Sequence, residues 1–87
     1  MKQFKLIIST PQGNAFEKDI AMLSVRGVEG SLAIMANHIP FITTTKDGEV
    51  KIIDTEGNEI LANASSGMLT VTKDSTTLLC GTFKINE

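Results

Sequence analysis

Apolar and polar residues alternate along most of the chain, which is the pattern of half-buried β-strands. The alternating apolar pairs and triplets are Phe4/Leu6/Ile8, Leu23/Val25, Leu32/Ile34, Val50/Ile52, Ile60/Ala62, Leu69/Val71 and Leu78/Cys80. The last run is interpreted as continuing to Phe83 and Ile85. No stretch keeps the apolar spacing i, i+3, i+4, i+7 long enough to predict a helix. The pattern therefore predicts an all-β chain.

Turn-forming residues separate these runs at regular intervals. The predicted turns and loops are Thr10–Gly13, Gly27–Gly30, Lys46–Gly48, Thr55–Asn58 and Lys73–Ser75. Ten Ile, ten Thr and four Val also favour extended over helical structure. Strands spaced by about 8–12 residues are typical of a sandwich or a barrel. No repeat, linker or biased tract divides the chain, so residues 1–87 are predicted to form a single domain.

Composition narrows the functional classes. The net charge of −2 gives no electrostatic argument for binding nucleic acid or an anionic membrane surface. No segment approaches the ~20 apolar residues that a membrane-spanning helix needs. Cys80 is the only cysteine, so an internal disulfide is excluded and a reducing compartment is favoured.

Candidate chemistry is sparse. Nucleophilic catalysis needs a base beside the nucleophile, and the chain offers one histidine, His38, and one cysteine, Cys80. Cys80 is interpreted as a buried structural thiol. The acidic stretch Asp54–Asn58 lacks calcium-loop spacing and is predicted to be a hairpin tip. We expect no catalytic site, no metal site and no cofactor.

Two segments are not explained by the alternation. Residues 35–42, Met-Ala-Asn-His-Ile-Pro-Phe-Ile, are apolar, but Pro40 excludes them from a central strand. They predict either an exposed apolar patch or a loop folded over the end of the core. The loop Gly27–Ser31 contains two glycines, which indicate a positive φ or a close backbone approach.

Across these two segments the chain resembles the N-terminal domain of the epsilon subunit of F-type ATP synthase. The resemblance begins at Thr10-Pro11-x-Gly13-x-x-Phe16 and extends nearly end to end without evident gaps. Its further motifs are Gly27-x-Glu29-Gly30-x-Leu32-x-Ile34-x-x-x-His38-x-Pro40, Thr43-x-x-Lys46-x-Gly48-x-Val50-x-Ile52, Ser65-x-Gly67-x-Leu69-x-Val71 and Thr77-Leu78-Leu79. The ordered set of these motifs is specific, although no single motif is.

The resemblance implies a flattened β-sandwich of about ten short strands without a long helix. It also implies a non-catalytic central-stalk component that binds the gamma subunit and the c-ring and couples ion translocation to ATP synthesis. The expected location is the cytoplasmic face of a bacterial cell membrane, as a peripheral part of the complex. Neither nucleic-acid binding nor direct membrane insertion is expected.

The same resemblance suggests two groups of contact residues. The residues expected to contact gamma are Thr10, His38, Ile39, Pro40, Phe41, Ile42 and Thr43, with Phe41 as the anchor. Glu29, Gly30 and Ser31 are expected to form the loop that faces the c-ring.

The chain departs from the family pattern at several positions. Asn37 stands where the family often has Gly, and Asn tolerates the left-handed conformation that such a turn needs. Ser31 stands where an acidic residue is common. The family usually continues into a C-terminal helical hairpin, whereas this sequence ends at Glu87. Two alternatives stay open: a free-standing β-sandwich that binds a protein or ligand, and a small hydrolase or redox enzyme using Cys80 or His38.

Overall fold

The computed structural model describes residues 2–37 and 39–86, and within these ranges every regular element is a β-strand. The strands are β1 Phe4–Thr10, β2 Gly13–Gly27, β3 Gly30–Met35, β4 Phe41–Thr45, β5 Gly48–Asp54, β6 Glu59–Ala64, β7 Gly67–Val71, β8 Ser75–Cys80 and β9 Phe83–Ile85. No described residue lies in a helix, so none belongs to one that could cross a membrane. The all-β prediction is confirmed.

The strands form two layers that share β2. The first half of β2 pairs with β1, which continues through β8 and β7 to β4; this layer is called sheet B. The second half of β2 pairs with β3 on one side and with β5 on the other. Strands β6 and β9 follow β5, and this layer is called sheet A. All pairings are antiparallel except β1 with β8, which is parallel.

A β-bulge lets β2 pass from one sheet to the other. Ile20 pairs with Asp54 and Met22 pairs with Ile53, so Ala21 is an additional residue on β2. A bulge bends its strand and shifts the alternation of side chains by one position. Buried positions accordingly change from even-numbered Ile20 to odd-numbered Leu23 along the same strand. Both halves of β2 therefore direct their apolar side chains into the space between the sheets.

The core lies between the two sheets and is almost entirely aliphatic. Its buried members are Phe4, Leu6, Ile8, Ile20, Leu23, Val25, Ile34, Val50, Ile52, Ala62, Ala64, Leu69, Val71, Leu78 and Cys80. Phe16, Leu32, Ala36, Phe41, Ile60 and Phe83 pack against it from the rim. Every strand contributes to this core, so both sheets are fixed relative to each other by shared apolar burial.

The structure confirms the predicted turns but differs from the sequence interpretation in two connections. The chain between Gly13 and Gly27 is one strand of 15 residues rather than separate short strands. At the other end, β8 and β9 are separate strands on different sheets, whereas the sequence suggested one continuous run. The Ser65 hydroxyl accepts hydrogen bonds from the N–H groups of Gly81 and Thr82, both at 2.9 Å, which fixes the bend between them.

The tip of the β5–β6 hairpin is organised by a buried carboxylate. Asp54 Oδ1 accepts hydrogen bonds from the N–H groups of Glu56 and Asn58, each at 2.9 Å. The Asn58 N–H lowers the pKa of Asp54 below its usual value, and this effect outweighs the opposing effect of burial. The predicted hairpin tip is thus confirmed, with Asp54 as its acceptor.

A substitution at Gly67 tests how closely β7 packs against β8. A Cβ at this position would overlap the carbonyl oxygen of Leu79, which belongs to the backbone and cannot rotate away. We expect Gly67→Ala to lower the free energy of unfolding by at least about 3 kcal/mol, measured by circular dichroism in denaturant. Gly57→Ala is the control, because its Cβ would meet open space and only the positive φ of 86° opposes it. The control should cost about 1 kcal/mol; equal losses in both variants would contradict the crowding argument.

Asp54 should make the stability depend on pH. Its folded-state pKa is lowered, so its stabilising contribution is present above the ordinary aspartate pKa of about 3.9 and is lost as the pH falls through the lowered value. Asp54→Asn should therefore be less stable than the parent at neutral pH, with a difference that shrinks in acid. Glu56→Gln removes a carboxylate from the same tip but none of these hydrogen bonds, so it should keep the parental profile. A constant difference between Asp54→Asn and the parent across the acid range would refute this role.

Candidate partner-binding surface

The outward face of sheet B includes two rows of cross-strand neighbours that run across β1, β8, β7 and β4. One row runs through Ile7, Thr77, Thr70 and Ile42, and the other through Ser9, Leu79, Met68 and Thr44. Successive residues of a strand point to opposite faces, and the residues between these positions are mostly buried in the core. The eight side chains therefore share one face, which is called the B face below.

These eight side chains carry no charge, although 21% of the chain is charged. The charged residues on the same side of sheet B, which are Lys5, Glu17 and Asp19, border the B face at the β1–β2 end. Ile42 is 66% exposed, Leu79 49% and Met68 44%, while Ile7 is half-buried. The remaining four residues offer hydroxyl groups. Exposed aliphatic side chains without interspersed charges are typical of the centre of a protein–protein interface.

The outward face of sheet A has the opposite character. Its rows include five charged residues, which are Arg26, Glu49, Lys51, Glu59 and Lys84. Lys51 and Glu59 form an ion pair at 3.6 Å between adjacent strands. Charged residues of both signs are what a solvated surface usually carries. The two faces thus differ sharply, and the B face is the stronger candidate for a lasting contact.

The apolar segment of residues 35–42 divides between different parts of the surface. Met35 ends β3 on the outward face of sheet A, beside its register partner Met22. Asn37 has a φ of 68°, so the left-handed turn expected at this position is confirmed. Ile39, 79% exposed, and Pro40 follow the turn on the surface. His38, one of the predicted gamma contacts, lies outside the described residues.

Within β4 the alternation decides which predicted contacts face outward. Ile42 lies on the B face, whereas Phe41 is half-buried and packs against the core. Thr43 also lies off the B face and lines a small crevice beside the β2–β3 hairpin. The structure thus makes Ile42, rather than Phe41, the exposed apolar side chain of this strand.

Thr10 lies at the end of β1, next to the B face. It lines a cleft of about 440 Å³ together with Pro11 and Leu79. The Thr10 hydroxyl is used within its own turn, because it accepts a hydrogen bond from the Gln12 N–H at 3.3 Å and donates toward the Gly13 carbonyl at 3.2 Å. Thr10 therefore contributes mainly shape to this border.

The predicted ring-facing residues lie together on the hairpin between β2 and β3. Gly27 pairs with Gly30, so Val28 and Glu29 form a two-residue tip, and both are exposed. Gly30 has a φ of 130°, which explains the need for glycine at this position. Ser31 follows in β3 opposite Arg26. The hairpin is a separate surface from the B face.

Most residues of the B face were not predicted from the sequence. Ile7, Met68 and Leu79 join Ile42 there, but they come from strands that are distant in sequence. A signal was present: in β7 and β8 the outward positions of the alternation hold only apolar or hydroxyl residues, where charges are usual. This signal indicates a shared surface only when the strands are known to be neighbours in the sheet.

Cys80 is buried at the end of β8, and burial raises the pKa of its thiol. A raised pKa reduces the thiolate fraction on which cysteine reactivity depends. Among residues 2–37 and 39–86, no three His, Cys, Asp or Glu side chains are placed to hold a metal ion. The described geometry therefore offers a packed thiol rather than an activated one.

Comparison with known proteins identifies the family. The profile of the family described as "ATP synthase, Delta/Epsilon chain, beta-sandwich domain" matches residues 3–85. This chain belongs to that family. The resemblance noted in the sequence is thereby confirmed, and the family's β-sandwich description agrees with the two-layer fold.

Relatives of known name support the same family. The ATP synthase epsilon chain of Bacillus velezensis is 40% identical over 79 residues, covering 91% of this chain and 59% of the relative. The Bacillus licheniformis epsilon chain is 36% identical over 87 residues, covering 100% and 66%. A relative from Propionigenium modestum, named "ATP synthase epsilon chain, sodium ion specific", is 35% identical over 79 residues, covering 91% and 57%. This member of the family thus spans about three-fifths of the length of these relatives.

Solved structures show the same fold at low sequence identity. A chain of the Euglena gracilis mitochondrial ATP synthase OSCP/F1/c-ring structure gives a TM-score of 0.90 with 15% identity, covering 95% of this chain and 53% of that one. A chain of the Tetrahymena thermophila mitochondrial ATP synthase central stalk and c-ring structure gives 0.78 with 15% identity, covering 94% and 66%. These chains thus share the two-layer fold of this protein although their sequence similarity to it is weak.

Thiol reactivity tests the structural role of Cys80. Because the side chain is 7% exposed and its pKa is raised, alkylation by iodoacetamide at neutral pH should be at least roughly a hundredfold slower in the folded protein than in denaturant. The rate can be followed by mass spectrometry. Comparable rates in the two conditions would show an accessible, reactive thiol and would support the enzyme alternative.

Proposed function

We propose that this chain is a non-catalytic part of the rotor of an F-type ATP synthase, held between the gamma subunit and the c-ring. The B face is the observation that carries this proposal, because it groups exposed aliphatic side chains from three strands with hydroxyl groups and no charge among them. The names of the relatives and family membership supply the complex in which such a contact would be made. The proposal contains no catalytic step and requires no cofactor.

The gamma subunit is proposed to bind on the B face. Ile42, Met68 and Leu79 are the exposed apolar residues there, and their burial would provide most of the binding free energy. The hydroxyls of Thr70 and Thr77 lie between Ile42 and Ile7 in one cross-strand row and can exchange water for hydrogen bonds with a partner. Of the residues suggested by resemblance, Thr10 lies at the border of this face, while Ile39 and Pro40 precede it along the chain.

The c-ring is proposed to contact the β2–β3 hairpin. Val28 and Glu29 form its exposed tip, and Gly30 and Ser31 begin the strand that returns from it. A two-residue loop between paired strands has little freedom to move. The hairpin is anchored to both sheets, because Gly27 also pairs with Thr45 of β4. A contact at this tip would therefore be mechanically continuous with the sandwich, as torque transmission requires.

This arrangement would place the protein at the cytoplasmic face of a bacterial cell membrane, as a peripheral part of the complex. Its link to the membrane would run through the c-ring, without insertion of its own chain. The rotor's ion flow would be coupled to ATP synthesis at sites on other subunits.

The decisive test is binding to the gamma subunit of the same source. The two proteins should co-elute from a size-exclusion column at low micromolar concentration, and fractions should be read on gels because the chain contains no Trp or Tyr. Ile42→Asp should weaken binding by at least roughly thirtyfold, since it places a charge in the apolar centre of the contact. Ile42 is preferred to Phe41 for this test because Phe41 also packs on the core.

Met35→Asp is the matched control. Met35 is 57% exposed and apolar like Ile42, but it lies on the outward face of sheet A. It should leave co-elution unchanged, and circular dichroism should confirm that both variants fold. Failure of the parent chain to bind gamma, or equal loss of binding in both variants, would overturn the assignment of the B face.

A further inference from the structure

A small cationic cleft lies beside the β2–β3 hairpin. It is lined by Arg26, Gly27, Gly30, Ser31 and Lys46 and has a volume of about 260 Å³. We propose that this cleft is a binding site for a phosphate group. The inference rests on the cleft alone and does not require the rotor function proposed above.

Backbone pairing brings the cationic residues together. The N–H of Lys46 donates a hydrogen bond of 2.9 Å to the carbonyl oxygen of Arg26. Ser31 is the register partner of Arg26 on β3, so its hydroxyl lies on the same side of the sheet as the guanidinium group. Three polar side chains from two strands and a turn thus converge through the sheet's own hydrogen bonds. A site supported in this way is better ordered than one formed by mobile surface residues.

A glycine provides room for the arginine side chain. A Cβ at Gly48 would lie 2.5 Å from Arg26 Cδ and 3.0 Å from its Nε, so the arginine stem packs directly on the backbone at this position. This contact restricts a side chain that is otherwise rich in rotamers. Less conformational entropy is then lost when the guanidinium binds a ligand.

The charge of the cleft is not neutralised by its surroundings. The described part of the chain contains three salt bridges, and they use Lys5, Lys18 and Lys51. Neither Arg26 nor Lys46 takes part in a salt bridge there. Their side chains therefore remain available to an external anion.

The neighbouring carboxylates do not line the cleft. Asp47, next to Lys46, accepts a hydrogen bond from the Ser66 N–H. Glu29 lines the crevice on the Thr43 side of the hairpin, and Glu49 is exposed at the start of β5. None of the three lines the cationic cleft, so the charged groups that line it are Arg26 and Lys46.

The donors that line the cleft are of the kinds that bind a phosphate group. A guanidinium binds two phosphate oxygens with parallel N–H groups, and an ammonium adds a third charge-assisted hydrogen bond. The Ser31 hydroxyl supplies a neutral donor. The volume exceeds that of one phosphate, so a phosphoryl group on a larger molecule fits as well. Free phosphate and a lipid headgroup are the two sources of this chemistry.

Inorganic phosphate is the probe for the first experiment. The ¹⁵N-labelled chain is titrated with sodium phosphate, and sodium chloride at matched ionic strength serves as the reference. Saturable shifts are expected at the amides of Gly27, Gly30 and Ser31. Arg26→Gln and Lys46→Gln should each weaken this binding by at least roughly tenfold, as expected for loss of a charge-assisted contact.

Lys84→Gln is the matched control, because it removes one positive charge from an exposed position on β9. It should bind phosphate like the parent. Absence of saturation, equal shifts with chloride, or equal weakening in all three variants would overturn the proposal. Thermal unfolding identifies any variant whose fold is altered, and Arg26→Lys, which keeps the charge, should then retain part of the binding.

Vesicle flotation distinguishes the two sources. The chain is mixed with vesicles of phosphatidylglycerol and phosphatidylcholine in equal parts, or of phosphatidylcholine alone. Flotation with the anionic vesicles that is lost in Arg26→Gln but kept in Lys84→Gln assigns the cleft to a lipid headgroup. Saturable phosphate binding without flotation assigns it to a soluble phosphate compound.

Discussion

The structure depends on one strand belonging to both sheets. Ala21 adds a residue to β2 between Ile20 and Met22, and this bulge bends the strand while shifting its alternation. Without that shift, the alternation would continue unchanged along β2, and the apolar side chains of one half of the strand would point to solvent. With it, the halves of β2 line opposite sides of the same core. The hairpin at the end of β2 is therefore held in a fixed position relative to sheet B, where the proposed gamma contact lies.

The outward faces of the two sheets meet different requirements: that of sheet A favours solubility, and that of sheet B suits the binding of a partner. Sheet A carries charges of both signs on its outward face, and these favour solubility. The part of sheet B formed by β8, β7 and β4 presents only hydroxyl and aliphatic side chains outward, so a partner can cover it without leaving a buried charge unpaired. The outward charges of this sheet lie at its β1–β2 end, where Lys5 forms an ion pair with Glu17. Both outward faces of a sandwich are exposed, so one face can favour solubility while the other binds a partner. Membership in the delta/epsilon β-sandwich family is consistent with this asymmetry, although the family match itself rests on the whole of residues 3–85.

Turns and most strand ends were predictable from the sequence, whereas the pairing of strands that are distant in sequence was not. Turn residues and alternation located most strand ends, and Asn37 was correctly expected to adopt a left-handed conformation. The long β2 was missed because a bulge breaks the alternation that marks a strand. Residues on the B face were missed because Ile7 and Met68 become neighbours only through β8. For the same reason, the apolar run around Phe41 did not reveal which of its side chains turns inward.

The parallel pairing of β1 with β8 has a consequence for how the molecule is made. Lys5 pairs with Ser75, a separation of seventy residues, so the first strand can find this neighbour only after β8 has been synthesised. Contacts so distant in sequence slow folding, because a long loop must close before they form. During synthesis the first strand can pair with β2 early, while its other edge stays open until β8 has left the ribosome. Sheet B, which carries the proposed contact with gamma, is therefore completed only after β8 has been synthesised, and a nascent chain displays the whole B face only from that point.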